Sequence, residues 1–196
     1  MRLRRLRLRD QWIQGLVLLP LCFFLPQSLQ SAPPGIPIAL QWKAMVSEQN
    51  QAWHRLAGSF VRPIRLASHK TGLSPMLLAA VVYVESRGQA GAVSVAGAIG
   101  PMQLMPATAW KVLHVNPWQT QQNILGGAQF LQNLLKLFHG NLTMALEAYN
   151  AGPTRVASGE PLPPSAVTYA KTVEAFLRRA EVGTASSPQK HILHQL

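Results

Sequence analysis

The chain has 196 residues, 48% of them hydrophobic, which is enough for one domain with a buried core and too little for a protein with many membrane spans. Its formal net charge is +11, and a basic protein favours anionic partners such as nucleic acid, membrane surfaces or the carboxylate-rich peptides of a bacterial cell wall. A single cysteine excludes an intrachain disulfide, and the scattered basic residues argue against a nucleic-acid-binding protein.

The first 32 residues have the pattern of an export signal. Five arginines lie within the first nine residues, and the apolar segment GLVLLPLCFFL and a Pro-rich exit follow them. The apolar segment is shorter than the ~20 residues that comfortably span a bilayer, and Pro20 interrupts it. We expect residues 1–32 to be a cleaved signal peptide, with an uncleaved N-terminal anchor and a buried hydrophobic helix as alternatives. The expected location is the periplasm or the cell envelope.

After residue 32 the chain retains six glutamates but neither aspartate nor cysteine. Zinc held by thiolates is therefore excluded, and the histidines show no ligand spacing such as HExxH. We expect no metal site and no cofactor.

The spacing of apolar residues predicts helices throughout the remaining chain. No segment alternates with a period of two, so the expected fold class is all-α. We expect residues 33–65 to form a linker, at 33–40, followed by an N-terminal helical segment. One domain should cover 66–180, and a flexible tail 181–196. The predicted helices cover 41 to about 69 with breaks at Gly58 and Pro63, then 75–86, 106–113, 121–138, 143–149 and 166–180.

Glu85 is the first candidate for a chemical role. Leu77, Val81 and Glu85 are four residues apart, so they share one helix face, and Glu85 lies in the last turn near the negative end of the helix dipole. Both the apolar face and the dipole disfavour ionisation and raise the pKa of a carboxyl group. Glu85 is therefore either a proton donor, or a surface residue that is solvated or paired with Arg87.

A loop with four glycines follows Glu85 and ends near residue 100. Glycines let the backbone approach a ligand closely. The side chains of Ser94 and Gln103 can form hydrogen bonds with hydroxyl and acetamido groups. Met102 and Met105 offer adaptable apolar surface, with core packing as the alternative for at least one of them.

Tyr149 and Asn150 lie at the end of another predicted helix, before a tight turn. They form either a second wall of the pocket or a structural pair, with Tyr149 in the core and Asn150 capping the helix.

Four blocks carry a resemblance to a known family: VES at 84–86, AVSVAGAIGPMQLMPATA at 92–109, NILGGAQFL at 123–131 and ALEAYNAGP at 145–153. In this order they resemble the soluble lytic transglycosylase domain of glycoside hydrolase family 23, over about 66–179. The resemblance implies a lysozyme-like single catalytic domain with a Gly-rich substrate loop and Glu85 as the sole catalytic acid/base. It also implies a set of substrate-binding residues, namely Ser86, Ser94, Gly100, Met102, Gln103, Met105, Tyr149 and Asn150.

The resemblance implies a peptidoglycan lytic transglycosylase that cleaves the MurNAc-β-1,4-GlcNAc bond and leaves 1,6-anhydromuramoyl ends. Most glycosidases use two catalytic carboxylates. The four blocks contain only one acid besides Glu85, namely Glu147, which we expect on the solvated surface. The small number of carboxylates therefore fits an enzyme with a single catalytic acid/base. The alternatives are a goose-type muramidase, which hydrolyses the same bond, and a non-catalytic wall-binding protein of an envelope-spanning assembly. The expected partners are glycan strands and, by analogy with small members of the family, a secretion or conjugation apparatus. We expect no nucleic acid, and membrane contact only through the N-terminal segment.

The chain departs from the family pattern at three places. RGQA at 87–90 stands where the family has an aromatic residue and a proline after Glu-Ser, which removes a packing anchor from the loop. Pro101 stands where leucine is commoner. LPPSAVTYAKTV at 162–173 matches the closing ETxxYV segment only loosely and lacks its glutamate.

Overall fold

The computed structural model describes residues 38–185, and this part of the chain is almost entirely helical. Extended pairing in it is limited to two isolated bridges, between residues 93 and 99 and between 99 and 104. The prediction of an all-α fold is therefore confirmed for these residues. The helices are α1 Ile38–Ala57, α2 Val61–Thr71, α3 Pro75–Ser86, α4 Thr120–Leu137, α5 Leu142–Ala151, α6 Pro153–Ala157 and α7 Pro164–Ala185.

The proposed export signal and the last residues of the predicted tail lie outside the described residues. Between Ile38 and Ala185, no helix combines the length and apolar character needed to cross a bilayer.

Helix α3 is the centre of the fold. It packs against α1, α2 and α7, and six consecutive residues, 77–82, are buried. A helix that is apolar on all sides must be enclosed by other elements. Pro75 occupies the first turn, where the missing N–H of proline has no cost, and Arg87 ends the helix in a left-handed conformation with φ 53°. Glu85 therefore lies where the buried helix reaches the surface.

The C-terminal end of α3 meets α7, which also packs against α5 and α1. The rings of Tyr83 on α3 and Phe176 on α7 contact each other edge to face, with centroids 5.2 Å apart. Helix α5 packs in turn against α4 and α6. Side chains of α5 and α7, which are distant from α3 in sequence, thereby come close to Glu85.

Some boundaries differ from the predicted ones. The predicted break at Gly58 is confirmed, since α1 ends at Ala57 and a 3-10 turn begins at Gly58. The predicted break at Pro63 is wrong: Pro63 lies in the first turn of α2, where a proline lacks only an N–H that has no helical partner. Helix α1 begins at Ile38, within the segment expected to be a linker, and α7 is longer at both ends than predicted. The helix predicted over 106–113 contains a five-residue π-helix, Thr108–Val112.

Asn123 of α4 fastens the Gly-rich loop to the helical core. Its side chain is fully buried, accepts a hydrogen bond from the backbone N–H of Met102 (2.8 Å), and donates to the carbonyl oxygens of Ile99 (2.7 Å) and Pro117 (3.0 Å). Buried backbone groups need such partners because leaving them unpaired is costly. One amide therefore satisfies three backbone groups of two loop segments.

Gly100 allows this contact. Its φ is +79°, and a Cβ atom there would lie 2.9 Å from the carbonyl oxygen of Pro117 and would collide with the side chain of Asn123. Larger residues are therefore excluded both by conformation and by space. The predicted substrate-binding position Gly100 thus has a packing role that is independent of any ligand.

We expect Asn123→Ala to lower the free energy of unfolding by about 3 kcal/mol or more, because each buried backbone group that loses its partner costs about 1–3 kcal/mol. Urea denaturation followed by circular dichroism measures this change. The matched control is Gln121→Ala, an exposed residue of the same helix, which should change stability by less than about 0.5 kcal/mol. Equal effects of the two substitutions would contradict the anchoring role of Asn123.

Candidate active site

Glu85 is half-buried in the last turn of α3, close to Tyr169 of α7 and Tyr149 of α5. Burial raises the pKa of its carboxyl group from 4.5 to about 7, and an interaction with the Tyr169 hydroxyl opposes part of this rise. The raised pKa expected from the apolar helix face is thus confirmed, with loss of solvation as the main cause. Near neutral pH this carboxyl group is present in both the acid and the carboxylate form.

The alternative in which Glu85 pairs with Arg87 is wrong. The guanidinium carbon of Arg87 lies 5.0 Å from the centroid of the Tyr83 ring, which is a cation–π distance. The ion pairs found in the described part of the chain do not include one between Glu85 and Arg87. Since no cation compensates the Glu85 carboxylate, burial can keep its pKa high.

Two tyrosines face Glu85, with their rings stacked at a centroid distance of 6.3 Å and an interplanar angle of 4°. Tyr149 donates a hydrogen bond of 2.9 Å to the carbonyl oxygen of Met102. Burial, and next the charge of Glu85, raises the pKa of both tyrosines well above 10. Both hydroxyls therefore stay protonated near neutral pH and act as hydrogen-bond donors.

Tyr169 was not among the predicted site residues. Its hydroxyl is buried and forms no hydrogen bond of standard geometry with the described residues, although it is near enough to Glu85 to lower the pKa of the carboxyl group. A small movement of either group would complete that bond. The sequence did point to Tyr169, because this tyrosine lies in the segment 162–173 that corresponds to the closing segment of the family pattern. The segment matches that pattern only loosely, so the tyrosine was not recognised as a site residue.

Gln103 and Ser94 hold the loop in shape. Gln103 has a left-handed backbone (φ 47°), and its side-chain amide donates to the carbonyl oxygens of Ala92 (3.2 Å) and Gly100 (2.9 Å). The hydroxyl oxygen of Ser94 accepts from the N–H of Ala98 at 3.0 Å. The amide hydrogens of Gln103 are therefore occupied within the loop, and its carbonyl oxygen is the group left for a ligand.

Ser86 and Met102 are buried behind the loop. The Ser86 hydroxyl donates to the carbonyl oxygen of Val82 in the preceding turn (3.0 Å), and the side chain of Met102 is fully buried against α4. The core-packing alternative for one of the two methionines is thus confirmed. Met102 reaches the site through its carbonyl oxygen, which binds Tyr149.

Met105 and Asn150 are on the surface. Met105 is 44% exposed, and Asn150 is exposed in the last turn of α5, whose C-terminal cap is Gly152 and not Asn150. The structure thus brings Glu85 together with Tyr149 and Tyr169, and it describes no direct contact from Glu85 to the other predicted side chains. Their contacts with substrate stay predictions. Within residues 38–185, no three His, Cys, Asp or Glu side chains lie close enough to hold a metal ion.

The pKa of Glu85 makes stability depend on pH with a definite sign. The folded pKa is above the unfolded value, so the unfolded chain loses this proton at a lower pH, and stability falls as the pH rises from about 4.5 to about 7. We expect Glu85→Gln to raise the free energy of unfolding by up to about 3 kcal/mol at pH 8, since one pKa unit corresponds to about 1.4 kcal/mol. Urea denaturation of both proteins at pH 4 and pH 8 measures this gain.

At pH 4 the carboxyl group is protonated in both states, so the gain should be absent there. A difference between the two proteins that stays constant with pH would contradict the raised pKa.

Comparison with known proteins places this geometry in a family. A family model described as the transglycosylase SLT domain matches residues 62–162, which include Glu85, the Gly-rich loop, α4 and α5. A protein described as a transglycosylase, from Enterobacteria phage PRD1, is 42% identical over 96 residues, which are 49% of this chain and 36% of that protein. The chain thus spans about a third of the length of this relative.

Solved structures agree on the fold. The 70 kDa soluble lytic transglycosylase from Escherichia coli has a TM-score of 0.56 and 25% identity, over 76% of this chain and 30% of its own. A complex of the 70 kDa enzyme with bulgecin A has a TM-score of 0.56 and 22% identity, over 69% of this chain and 29% of its own. The all-α, lysozyme-like fold class predicted from the sequence is confirmed. Because the family model covers more than half of the 196 residues, this chain belongs to the transglycosylase SLT domain family.

Proposed function

We propose that this protein is a peptidoglycan lytic transglycosylase in which Glu85 is the only catalytic acid and base. The observation that carries the proposal is the half-buried carboxyl group with a pKa of about 7, faced by two protonated tyrosines, in a chain of this family. A catalytic group that must both give and take a proton works best with a pKa near the operating pH.

In the first step, protonated Glu85 donates its proton to the oxygen of the MurNAc-β-1,4-GlcNAc bond. The bond between C1 of the muramyl sugar and this oxygen breaks, and the GlcNAc side leaves as an alcohol. The 2-acetamido group of the same muramyl sugar stabilises the positive charge that develops at C1. Glu85 is left as a carboxylate.

In the second step, the Glu85 carboxylate takes the proton of the muramyl C6 hydroxyl, and the C6 oxygen bonds to C1. The product has a 1,6-anhydromuramoyl end, no water is consumed, and Glu85 returns to its protonated form. The nucleophile belongs to the substrate and is already close to C1, which explains why a second catalytic carboxylate is unnecessary.

The other described carboxylates have partners or positions that fit this mechanism. Glu160 pairs with Arg155 (3.7 Å), and Glu174 pairs with Arg178 (3.5 Å) on α7. Glu147, expected on the solvated surface, is half-buried on α5. Glu85 is the only carboxyl group whose charge contributes to the raised pKa values of the two tyrosines.

The tyrosines suit the carboxylate stage of the reaction. The buried Tyr169 hydroxyl has no other described partner, so it is free to donate to Glu85 when the carboxyl group loses its proton. Tyr149 holds the loop through the Met102 carbonyl oxygen and stacks on Tyr169. We propose that Tyr169 stabilises the base form of Glu85 and that Tyr149 positions Tyr169.

The proposed substrate implies where the protein acts and what it binds. Action on glycan strands requires the periplasm or the cell envelope, which the export pattern of residues 1–32 supports. Local opening of the wall for a secretion or conjugation apparatus is a use consistent with one small catalytic domain over 66–180.

Incubating purified peptidoglycan with the full-length protein should release anhydromuropeptides that mass spectrometry detects. Glu85→Gln keeps the size of the side chain but cannot deliver a proton, so product release should fall about 10²–10⁴-fold. Gln121→Ala serves as the control for handling and folding. Products with reducing ends would instead identify a goose-type hydrolase, and release by Glu85→Gln at the parental rate would remove Glu85 from the mechanism.

Tyr169→Phe should move the alkaline limb of the kcat/KM profile to higher pH. The Tyr169 hydroxyl lowers the pKa of Glu85, so its removal raises that pKa. The activity that requires protonated Glu85 then persists to higher pH. Tyr83→Phe is the control, because Tyr83 also lies at this end of α3 but does not contribute to the Glu85 pKa shift. A limb that stays in place, or moves equally in the control, would contradict the role of Tyr169.

A further inference from the structure

A cleft of about 360 Å³ lies beside the Glu85 site, between Arg87 and one face of α7. Arg87 comes two residues after Glu85, and Thr168 at the cleft wall directly precedes Tyr169. The cleft therefore has lining residues that lie close in sequence to both Glu85 and Tyr169. None of its residues belongs to the predicted substrate-binding set.

The cleft is cationic. Three of its lining residues, Arg87, Lys171 and Arg179, carry a positive charge, and none carries a negative one. The lining positions of α7 are spaced three or four residues apart, which places Lys171 and Arg179 on one helix face. The ion pair described on this helix, Glu174 with Arg178, involves neither of them. Between residues 38 and 185, no described carboxylate therefore neutralises the cleft.

Arg87 is held in place before any ligand binds. Its guanidinium group lies over the Tyr83 ring at 5.0 Å, and Tyr83 packs edge to face on Phe176, which also lines the cleft. An arginine stacked on an aromatic ring keeps its hydrogen-bonding fork available to an anion. Thr168 and Thr172 add hydroxyl groups to the same wall.

We propose that this cleft binds carboxylates of the peptide that the muramyl sugar carries, next to the bond that Glu85 cleaves. This inference rests on the proposed function, because it takes the glycan strand as the substrate. The sugar backbone of that strand is built from neutral N-acetylated sugars, so three cations would find no partner along it. The stem peptide is the anionic part of the substrate, and it branches from the sugar whose C1 must lie beside Glu85.

The test measures binding to a ligand that lacks the MurNAc-β-1,4-GlcNAc bond, so that it does not depend on catalysis. The ligand is GlcNAc-MurNAc-tetrapeptide, compared with the same molecule carrying amidated carboxylates and with the peptide-free disaccharide. Isothermal titration calorimetry at low salt gives Kd for the full-length protein, for the double variant Lys171→Gln/Arg179→Gln, and for Arg178→Gln. The last variant removes one charge from the neighbouring face of α7, where Arg178 pairs with Glu174.

We expect the parental protein to prefer the ligand with free carboxylates. The double variant should bind that ligand about 2- to 30-fold more weakly, since each of the two exposed charge pairs contributes about 0.2–1 kcal/mol. The ratio between its Kd values for the free and amidated ligands should approach one. Arg178→Gln should keep the parental ratio.

Three results would overturn the assignment: equal affinity of the parental protein for the free and amidated ligands, an unchanged ratio in the double variant, or an equal loss in Arg178→Gln. A short oligonucleotide that binds with the same dependence on Lys171 and Arg179 would do so too, because it would show a general anion surface. The release of anhydromuropeptides is measured separately, so a failed proposal for catalysis and a failed proposal for the cleft are distinguishable.

Discussion

The loss of solvation around one carboxyl group sets the acidity of Glu85, on which the proposed chemistry depends. Helix α3 is enclosed by other helices along most of its length, and Glu85 lies where that enclosure ends. There the carboxyl group is buried enough to raise its pKa to about 7 and still close enough to the surface for a ligand to reach it. One turn earlier the residue would be fully enclosed, and one turn later it would be solvated. The length of α3, set by Pro75 at one end and left-handed Arg87 at the other, therefore fixes the strength of the acid.

The Gly-rich loop contributes a fixed surface more than a flexible one. Asn123 binds it to α4 through three buried hydrogen bonds, and Tyr149 binds the Met102 carbonyl oxygen from α5. Gln103 also donates its amide hydrogens within the loop. A rigid surface suits the proposed mechanism, in which the nucleophile is part of the substrate and the sugar must be held with its C6 oxygen near C1. Gly88, in the segment that departs from the family pattern, has a φ of +78°, a conformation that glycine adopts without strain.

The helices and the raised pKa of Glu85 were predictable because they depend on local patterns. The spacing of apolar residues located α3 and α4 almost to the residue, and the four-residue spacing that ends at Glu85 indicated burial. Tyr169 was not predictable in the same way, since its approach to Glu85 depends on how α7 packs on α3, which no local pattern records. The same holds for Asn123, whose sequence context suggests only a helix start. The assignment of Ser86 to the substrate came from resemblance, and that of Gln103 from the chemistry of its amide as well as from resemblance. In the structure, hydrogen bonds within the protein already occupy the donor groups of both side chains.

Arg87 adds positive charge near Glu85 without lowering the pKa of the Glu85 carboxyl group. A cation two residues from a carboxylate would ordinarily stabilise the charge and lower the pKa. Here the left-handed backbone at Arg87 and the Tyr83 ring hold the guanidinium group on the cleft side of α3, and the causes of the Glu85 shift do not include it. The acid thus keeps a pKa near neutrality while positive charge remains a few residues away. The proposed reaction, in which an anionic polymer reaches a protonated carboxyl group, needs both properties together, and the end of α3 provides this separation.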